Sequence, residues 1–316
     1  MQSTMQQRPF QQIDVFTATP GLGNPVAVVL DGRGLDDAAM QRFARWTNLS
    51  ETTFVLPPTT PQADYRLRIF TPGGELPFAG HPTLGSCFAW AAAGGQPKAP
   101  DVIVQECAKG LIPIRRTGGR LAFAAPPSQR GAPAPVLLAQ IAQALGLRSA
   151  QIQRAQLLDN GPVWLTLLLD SADTVLALEP DHAQLAKLGQ KVGVVGVHQA
   201  PAAIGLISRS SHEARAFSAG AGHEAIPPLV EVRAFAAPIG VPEDPVTGSL
   251  NASLAQWLID AGELPAHYVA AQGTALGRAG RVHVERDANG QATAAGAAQV
   301  WVGGDCVCVI QGEVNL

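Results

Sequence analysis

Residues 68–90 read RIFTPGGELPFAGHPTLGSCFAW, and the fold follows from how this stretch is parsed. It opens as the end of an alternating strand, with Tyr65, Leu67 and Ile69 on one side and Arg66, Arg68 and Phe70 on the other. A Gly/Pro turn follows and ends in Gly80-His81-Pro82. A helix is predicted from Pro82 to Ala92, with Leu84, Cys87, Phe88 and Ala91 on one face. Residues 233–257, RAFAAPIGVPEDPVTGSLNASLAQW, have the same design. Again an Arg-x-Phe strand end leads through a Pro/Gly turn to a helix opened by a proline, Pro245, with Leu250, Leu254, Trp257 and Leu258 inward. His81-Pro82…Gly85-Ser86 aligns with Asp244-Pro245…Gly248-Ser249 without a gap, so one unit is expected twice.

Outward from these units the chain reads as short strands with few helices. Strands are predicted over 13–16, 26–30, 52–56, 102–104, 112–114 and 121–123, and a helix over 36–46 with Ala39, Met40, Phe43 and Trp46 inward. Residues 125–135 have linker composition, and the domain boundary is expected there. Beyond it come a helix closed by Gly146, a hairpin around Asp159-Asn160-Gly161, a strand over 175–178, a helix over 181–188 and strands over 192–197 and 203–207. Residues 208–223 read as loop. The strands over 267–271, 281–285, 300–302 and 307–310 close the chain.

Bulk properties exclude several roles. With 316 residues, 47% hydrophobic, the chain can build a large core. A net charge of −3 without a basic block argues against nucleic acid or an anionic membrane as partner. There is no apolar signal segment at the start, and the longest apolar run, 163–169, is too short to span a bilayer. Cys87, Cys107, Cys306 and Cys308 form no Cys-x-x-Cys or Cys/His cluster, which points to a reducing cytoplasm and no metal site.

Three titratable residues could carry chemistry. His81 is either a hydrogen-bonded residue beside a helix start or an imidazole at a cleft, its pKa lowered by the helix end. Asp244 is either an N-cap or one of a set of acid/base groups gathered by the repeat, with Glu243 a solvated neighbour. Glu51 sits where a helix passes into a strand and matters only if the fold tucks it beneath both helix starts; Glu75 ranks below it. Thr83-Leu84-Gly85-Ser86 and Thr247-Gly248-Ser249 put small residues in the first helical turns, either for close packing or as a seat for a substrate carboxylate, with Gly80, Gly248 and Ser249 the candidate binding residues.

Several motifs together resemble one family. They are Asp14-Val15-Phe16-Thr17, Gly23-Asn24-Pro25-Val26-Ala27-Val28-Val29, Asn48-Leu49-Ser50-Glu51-Thr52-Thr53-Phe54-Val55, Pro77-Phe78-Ala79-Gly80-His81-Pro82-Thr83-Leu84-Gly85 and Glu243-Asp244-Pro245-Val246-Thr247-Gly248-Ser249. Gln272-Gly273, Gly277-Arg278, Gly280-Arg281-Val282 and Val302-Gly303-Gly304 follow in order. The pattern is similar to that of the phenazine-biosynthesis isomerase (PhzF-like) family over essentially the whole chain.

The resemblance implies an α+β, diaminopimelate-epimerase-like fold: two similar domains, each a curled mixed sheet round a central helix. The domains would be residues 1–130, rejoined by the strand over about 305–316, and 131–304. It further implies a homodimer, no cofactor, and a small carboxylate-bearing substrate. The family's acid/base glutamate falls on Glu51, its histidine on His81, its aspartate on Asp244 and its serine on Ser249. The expected activity is a cofactor-independent isomerisation that moves a proton between carbons. Alternatives are an epimerase or racemase on the same fold, disfavoured because no cysteine stands at either helix start, and a non-catalytic metabolite-binding or interaction protein.

Overall fold

The computed structural model describes residues 5–199, 226–287 and 298–316. The expected strand over 203–207 and loop over 208–223 lie outside these residues.

The first half runs β1 (Gln7–Val15), β2 (Asn24–Val29), α1 (Asp37–Thr47), β3 (Thr52–Leu56), β4 (Tyr65–Phe70), β5 (Glu75–Leu76), α2 (Gly80–Ala92), β6 (Val102–Cys107), β7 (Gly110–Thr117) and β8 (Arg120–Ala124). After β9 (Gln129–Gly131) and α3 (Pro135–Ala144), the second half runs β10 (Ile152–Asp159), β11 (Val163–Leu169), α4 (Ala172–Leu176), α5 (His182–Leu188), β12 (Lys191–Val197), β13 (Val230–Ala236), β14 (Val241–Asp244) and α6 (Gly248–Asp260). It ends with β15 (His267–Gln272), β16 (Gly280–Arg286), β17 (Val300–Gly304) and β18 (Cys306–Asn315).

The pairing makes the repeat explicit. β1–β2 is antiparallel, β2–β3 parallel, β3–β4 antiparallel, β4–β6 parallel, and β6–β7–β8 antiparallel. The second half repeats this pattern as β10–β11, β11–β12, β12–β13, β13–β15 and β15–β16–β17. Antiparallel pairing of β8 with β17 joins the two into one mixed sheet, and β18 lies antiparallel along β1. Bidentate ion pairs repeat as well. Arg68 of β4 grips Glu75 of β5, and Arg233 of β13 grips Glu243 of β14. Glu243 is thus a buried partner of Arg233 and not a solvated residue.

Both central helices have thirteen residues, of which nine are buried, so each is covered nearly all round rather than along one stripe. In α2, Gly85, Ser86 and Ala89 are buried, while Phe88 and Ala91 of the expected face are only partly so. The two helices meet end to end. A Cβ placed on Gly248 would lie 3.0 Å from the Gly80 Cα. This contact corrects the repeat register, because the helices begin at Gly80 and Gly248, not at the two prolines. His81 is therefore inside the first turn of α2, whereas Asp244 precedes α6 at the end of β14.

Two other expectations fail for physical reasons. Trp46 is 79% exposed, lying flat on Phe43 at the outer end of α1, where Met40, Phe43 and Ala44 supply the buried stripe. The apolar run over 175–178 is the end of a short helix, nucleated by Ser171, whose hydroxyl accepts from the Thr174 N–H. The linker-like segment is strapped to α6: Gln256 bonds Pro126 O and Ser128 N, and Arg130 pairs with Asp260. Among the described residues, no helix is long and apolar enough to cross a membrane.

Candidate active site

The end-to-end contact of α2 and α6 gathers residues from both halves. Glu51 is placed between the left-handed Asn48 that stops α1 (φ 54°) and the first residue of β3, so its backbone is held on both sides. Its Oε2 lies 3.4 Å from His81 Nε2, with the two side chains 15% and 5% exposed. On the other side of the imidazole, His81 Nδ1 is 3.4 Å from Asn24 Nδ2. That amide donates to Asp244 Oδ1 at 2.8 Å and to Val246 O at 2.8 Å. Glu51, His81 and Asp244 thus form one row, closed by Asn24.

Asp244 is not an N-cap. The cap position of α6 is Thr247, whose side chain makes no cap bond; instead its hydroxyl donates to Asp244 Oδ2 at 2.6 Å. Gln272 secures this corner: its side-chain oxygen accepts from Thr247 N and Asn251 Nδ2, and its amide donates to Asp244 O and Thr247 Oγ1. Ala79, the cap residue of α2, also makes no side-chain cap bond. Two touching helix starts therefore present first-turn N–H groups not claimed by a capping side chain, a seat suited to an anion. Gly80 and Gly248 lie at that contact. Ser249 is steadied from the β10–β11 hairpin, where Asn160 donates to its carbonyl at 2.9 Å and Trp164 Nε1 to its hydroxyl at 3.3 Å.

Burial sets the protonation states. Loss of hydration pushes the Glu51 carboxyl up to about 7, against smaller downward effects of the Ser50 hydroxyl and the Lys191 charge. The same loss takes His81 down to about 4, against the upward pull of Asp244, so the imidazole is neutral at pH 7. Burial, not the helix end alone, is the main cause. Asp244 is raised to about 6 by burial, opposed first by His81. At neutral pH it is mostly ionised, and both of its oxygens accept hydrogen bonds. A protonated, hydrogen-bond-donating Asp244 is therefore the minor form.

Several residues here have no signal of their own in the sequence. Asn24 and Gln272 stood within quoted motifs, but nothing in their spacing marked them as the polar links to Asp244. Lys191 opens β12 directly opposite Trp164 in the parallel pair with β11, and its Nζ lies 5.7 Å from that indole. Cys87, the thiol nearest in sequence to His81, is buried in α2 and pushed up to about 12 by desolvation. Among the described residues, no group of three or more His, Cys, Asp or Glu is arranged to hold a metal ion.

Comparison with known proteins gives the family. The profile of the phenazine biosynthesis-like proteins (PhzC-PhzF) matches residues 13–312. The antisense-enhancing sequence 1 protein of Schizosaccharomyces pombe is 35% identical over 98% of this chain and 99% of its own length. The trans-2,3-dihydro-3-hydroxyanthranilate isomerase of Pseudomonas aeruginosa is 32% identical over 96% and 98%. Among solved structures, a PhzF-family protein of Bacillus anthracis superposes with TM-score 0.78 over 99% of this chain and all of its own, at 22% identity. A hydroxyproline epimerase of Agrobacterium vitis superposes with TM-score 0.60 over 99% and 93%, at 13% identity, so the epimerase-like fold is shared. The chain belongs to the phenazine biosynthesis-like (PhzC-PhzF) family of isomerases.

Proposed function

We propose that the protein is a cofactor-independent isomerase that moves a proton between two carbons of a small carboxylate-bearing substrate, with Glu51 as the acid/base. The observation that carries this reading is the pair Glu51 Oε2 and His81 Nε2. Both atoms are buried, they face each other across 3.4 Å, and neither has a hydrogen-bond partner among the described residues. A carboxyl poised near 7 can take a proton and give it back at neutral pH. The substrate carboxylate sits at the helix starts around Gly80, Gly248 and Ser249. Glu51 removes a proton from a carbon activated by the adjoining unsaturation, the electron pair moves along the conjugated system, and the protonated Glu51 returns its proton to another carbon on the same face. Neutral His81 stabilises the charge that builds on the substrate.

Inversion of a stereocentre would need a second base on the opposite face. Both Asp244 oxygens already accept hydrogen bonds and Cys87 is a buried thiol, which favours one-base isomerisation over epimerisation. The test is proton NMR in D2O with a panel of small unsaturated acids, beginning with trans-2,3-dihydro-3-hydroxyanthranilate, the compound in the relative's name. Wild type should place solvent deuterium on a carbon of one of them, and Glu51→Gln should not. Undiminished incorporation by Glu51→Gln would remove Glu51 from the role.

A further inference from the structure

Every ionisable side chain in the row described above is acidic or, as neutral His81, uncharged. A carboxylate substrate would enter a site that already holds Asp244 and, for part of the time, ionised Glu51. Helix-start amides offer partial charges only. A full countercharge has to come from elsewhere, and one stands over Trp164. Lys191 is the first residue of β12 and is partly exposed, whereas the next residues of that strand are buried. Among the described residues it has no carboxylate within ion-pair distance. Its Nζ is held 5.7 Å from the Trp164 indole, and that indole donates to the Ser249 hydroxyl at 3.3 Å. Strand pairing fixes the arrangement, because Trp164 and Lys191 are direct partners across β11 and β12. A chain of contacts thus runs from the ammonium, over the indole, to the first turn of α6.

We propose that Lys191 is the cation of the site: it draws the anionic group of the substrate towards Ser249 and selects acids over neutral analogues. The electrostatics agree. Among the described residues, Lys191 is the one cation whose charge acts on Glu51, and Glu51 and Asp244 act on it in return. Desolvation holds the ammonium below its usual pKa, and an arriving carboxylate would relieve that cost. The surplus charge is placed to reject ligands that lack a negative group, since these leave the ammonium partly buried and unpaired.

This inference rests on the carboxylate reading of the substrate, so its test separates the two. Anthranilate and anthranilamide, and 1-cyclohexenecarboxylate and its carboxamide, are titrated calorimetrically into wild type, Lys191→Met, Lys191→Gln and Lys191→Arg, at low and high salt. Methionine keeps an apolar stem against Trp164, and glutamine serves if methionine disturbs the fold. The expected result is that wild type prefers each acid to its amide, and that Lys191→Met weakens acid binding about tenfold or more while leaving the amides unchanged. Lys191→Arg should retain most of the preference, and salt should erode it in wild type but not in Lys191→Met. Equal loss of acid and amide, or an intact preference in Lys191→Met, would overturn the assignment of Lys191 while leaving the proposed reaction standing. A wild-type protein that prefers neither acid to its amide would overturn the carboxylate reading and the role of Lys191 with it.

Discussion

Glu51 Oε2 and His81 Nε2 stand 3.4 Å apart, brought together from the start of one strand and the first turn of a helix, and each lacks any other polar partner among the described residues. Two buried polar atoms left unsatisfied cost stability, and they persist because the flanking backbone is fixed by β3 on one side and α2 on the other. Their energetics can be measured without knowing the substrate.

Glu51→Gln should stabilise the fold at neutral and alkaline pH. Burial raises the Glu51 carboxyl from an ordinary 4.5 to about 7, so the folded protein binds this proton more tightly than the unfolded chain does. The stability that goes with the bound proton is complete below pH 4.5 and is lost as pH rises through about 7. The amide has no such loss. Urea unfolding should show variant and wild type alike near pH 4.5, with the variant ahead by up to about 3 kcal/mol above pH 7. A difference that does not vary with pH would contradict the assigned burial.

The rate of proton transfer should follow ionised Glu51. With Asp244 at about 6 and His81 at about 4, neither limits the rate near neutrality. Initial rates of deuterium incorporation at low substrate should rise with pH, reach half their plateau near 7 and then level off. A profile that is flat between pH 5 and 9 would mean another base.

Asn24→Ala should damage catalysis more than folding. The Asn24 amide holds Asp244 Oδ1 and Val246 O and touches the His81 ring, tying the first half to the second at the row's closed end. Removing it leaves a buried carboxylate one donor short, a loss of about 1–3 kcal/mol in stability. The Asp244 pKa should rise, and kcat should fall while substrate affinity changes less. A fall in affinity alone would show that Asn24 serves binding and not alignment.

Gly248→Ala should prise the two helix starts apart. The added carbon would lie 3.0 Å from the Gly80 Cα and 3.3 Å from both Gly80 C and His81 N, all backbone atoms that cannot rotate away. A stability loss of about 1–3 kcal/mol is expected. Activity should drop further than that loss explains, because His81 moves with the displaced backbone. Normal activity in a stable variant would show that the helix contact is not needed for alignment.

The repeat was legible because its punctuation is strong: Arg68-Ile69-Phe70 and Arg233-Ala234-Phe235 each lead through Pro and Gly into a helix. The register taken from sequence is five residues off, pairing His81 with Asp244 where the helix starts pair Gly80 with Gly248, because Pro245 resembles a first-turn proline. In the structure the chain stays extended through Asp244, whose carboxylate engages Thr247, and the helix begins only at Gly248. Trp46 fits a helical stripe by spacing, but it stays exposed and stacks on Phe43 while Met40, Phe43 and Ala44 fill the buried positions. His81 and Asp244 could be found from their places beside helix starts, whereas Glu51 stood out only through the family resemblance. Asn24, Gln272 and Lys191 act across long sequence separations, and a lone amide or lysine in a strand or turn carries no local mark of that.

The alignment of β1 with β18 has a consequence for biogenesis. Their register runs from Gln7 opposite Asn315 to Val15 opposite Cys306, so the outer edge of the first half is supplied by a strand that follows the whole second half. During translation the early strands must wait, with β1 bare along one side, until β18 has left the ribosome. A nascent chain stalled before β18 would carry the His81 helix and the Glu51 strand yet present an open, sticky rim. Such an intermediate is the one that chaperones or aggregation would compete for.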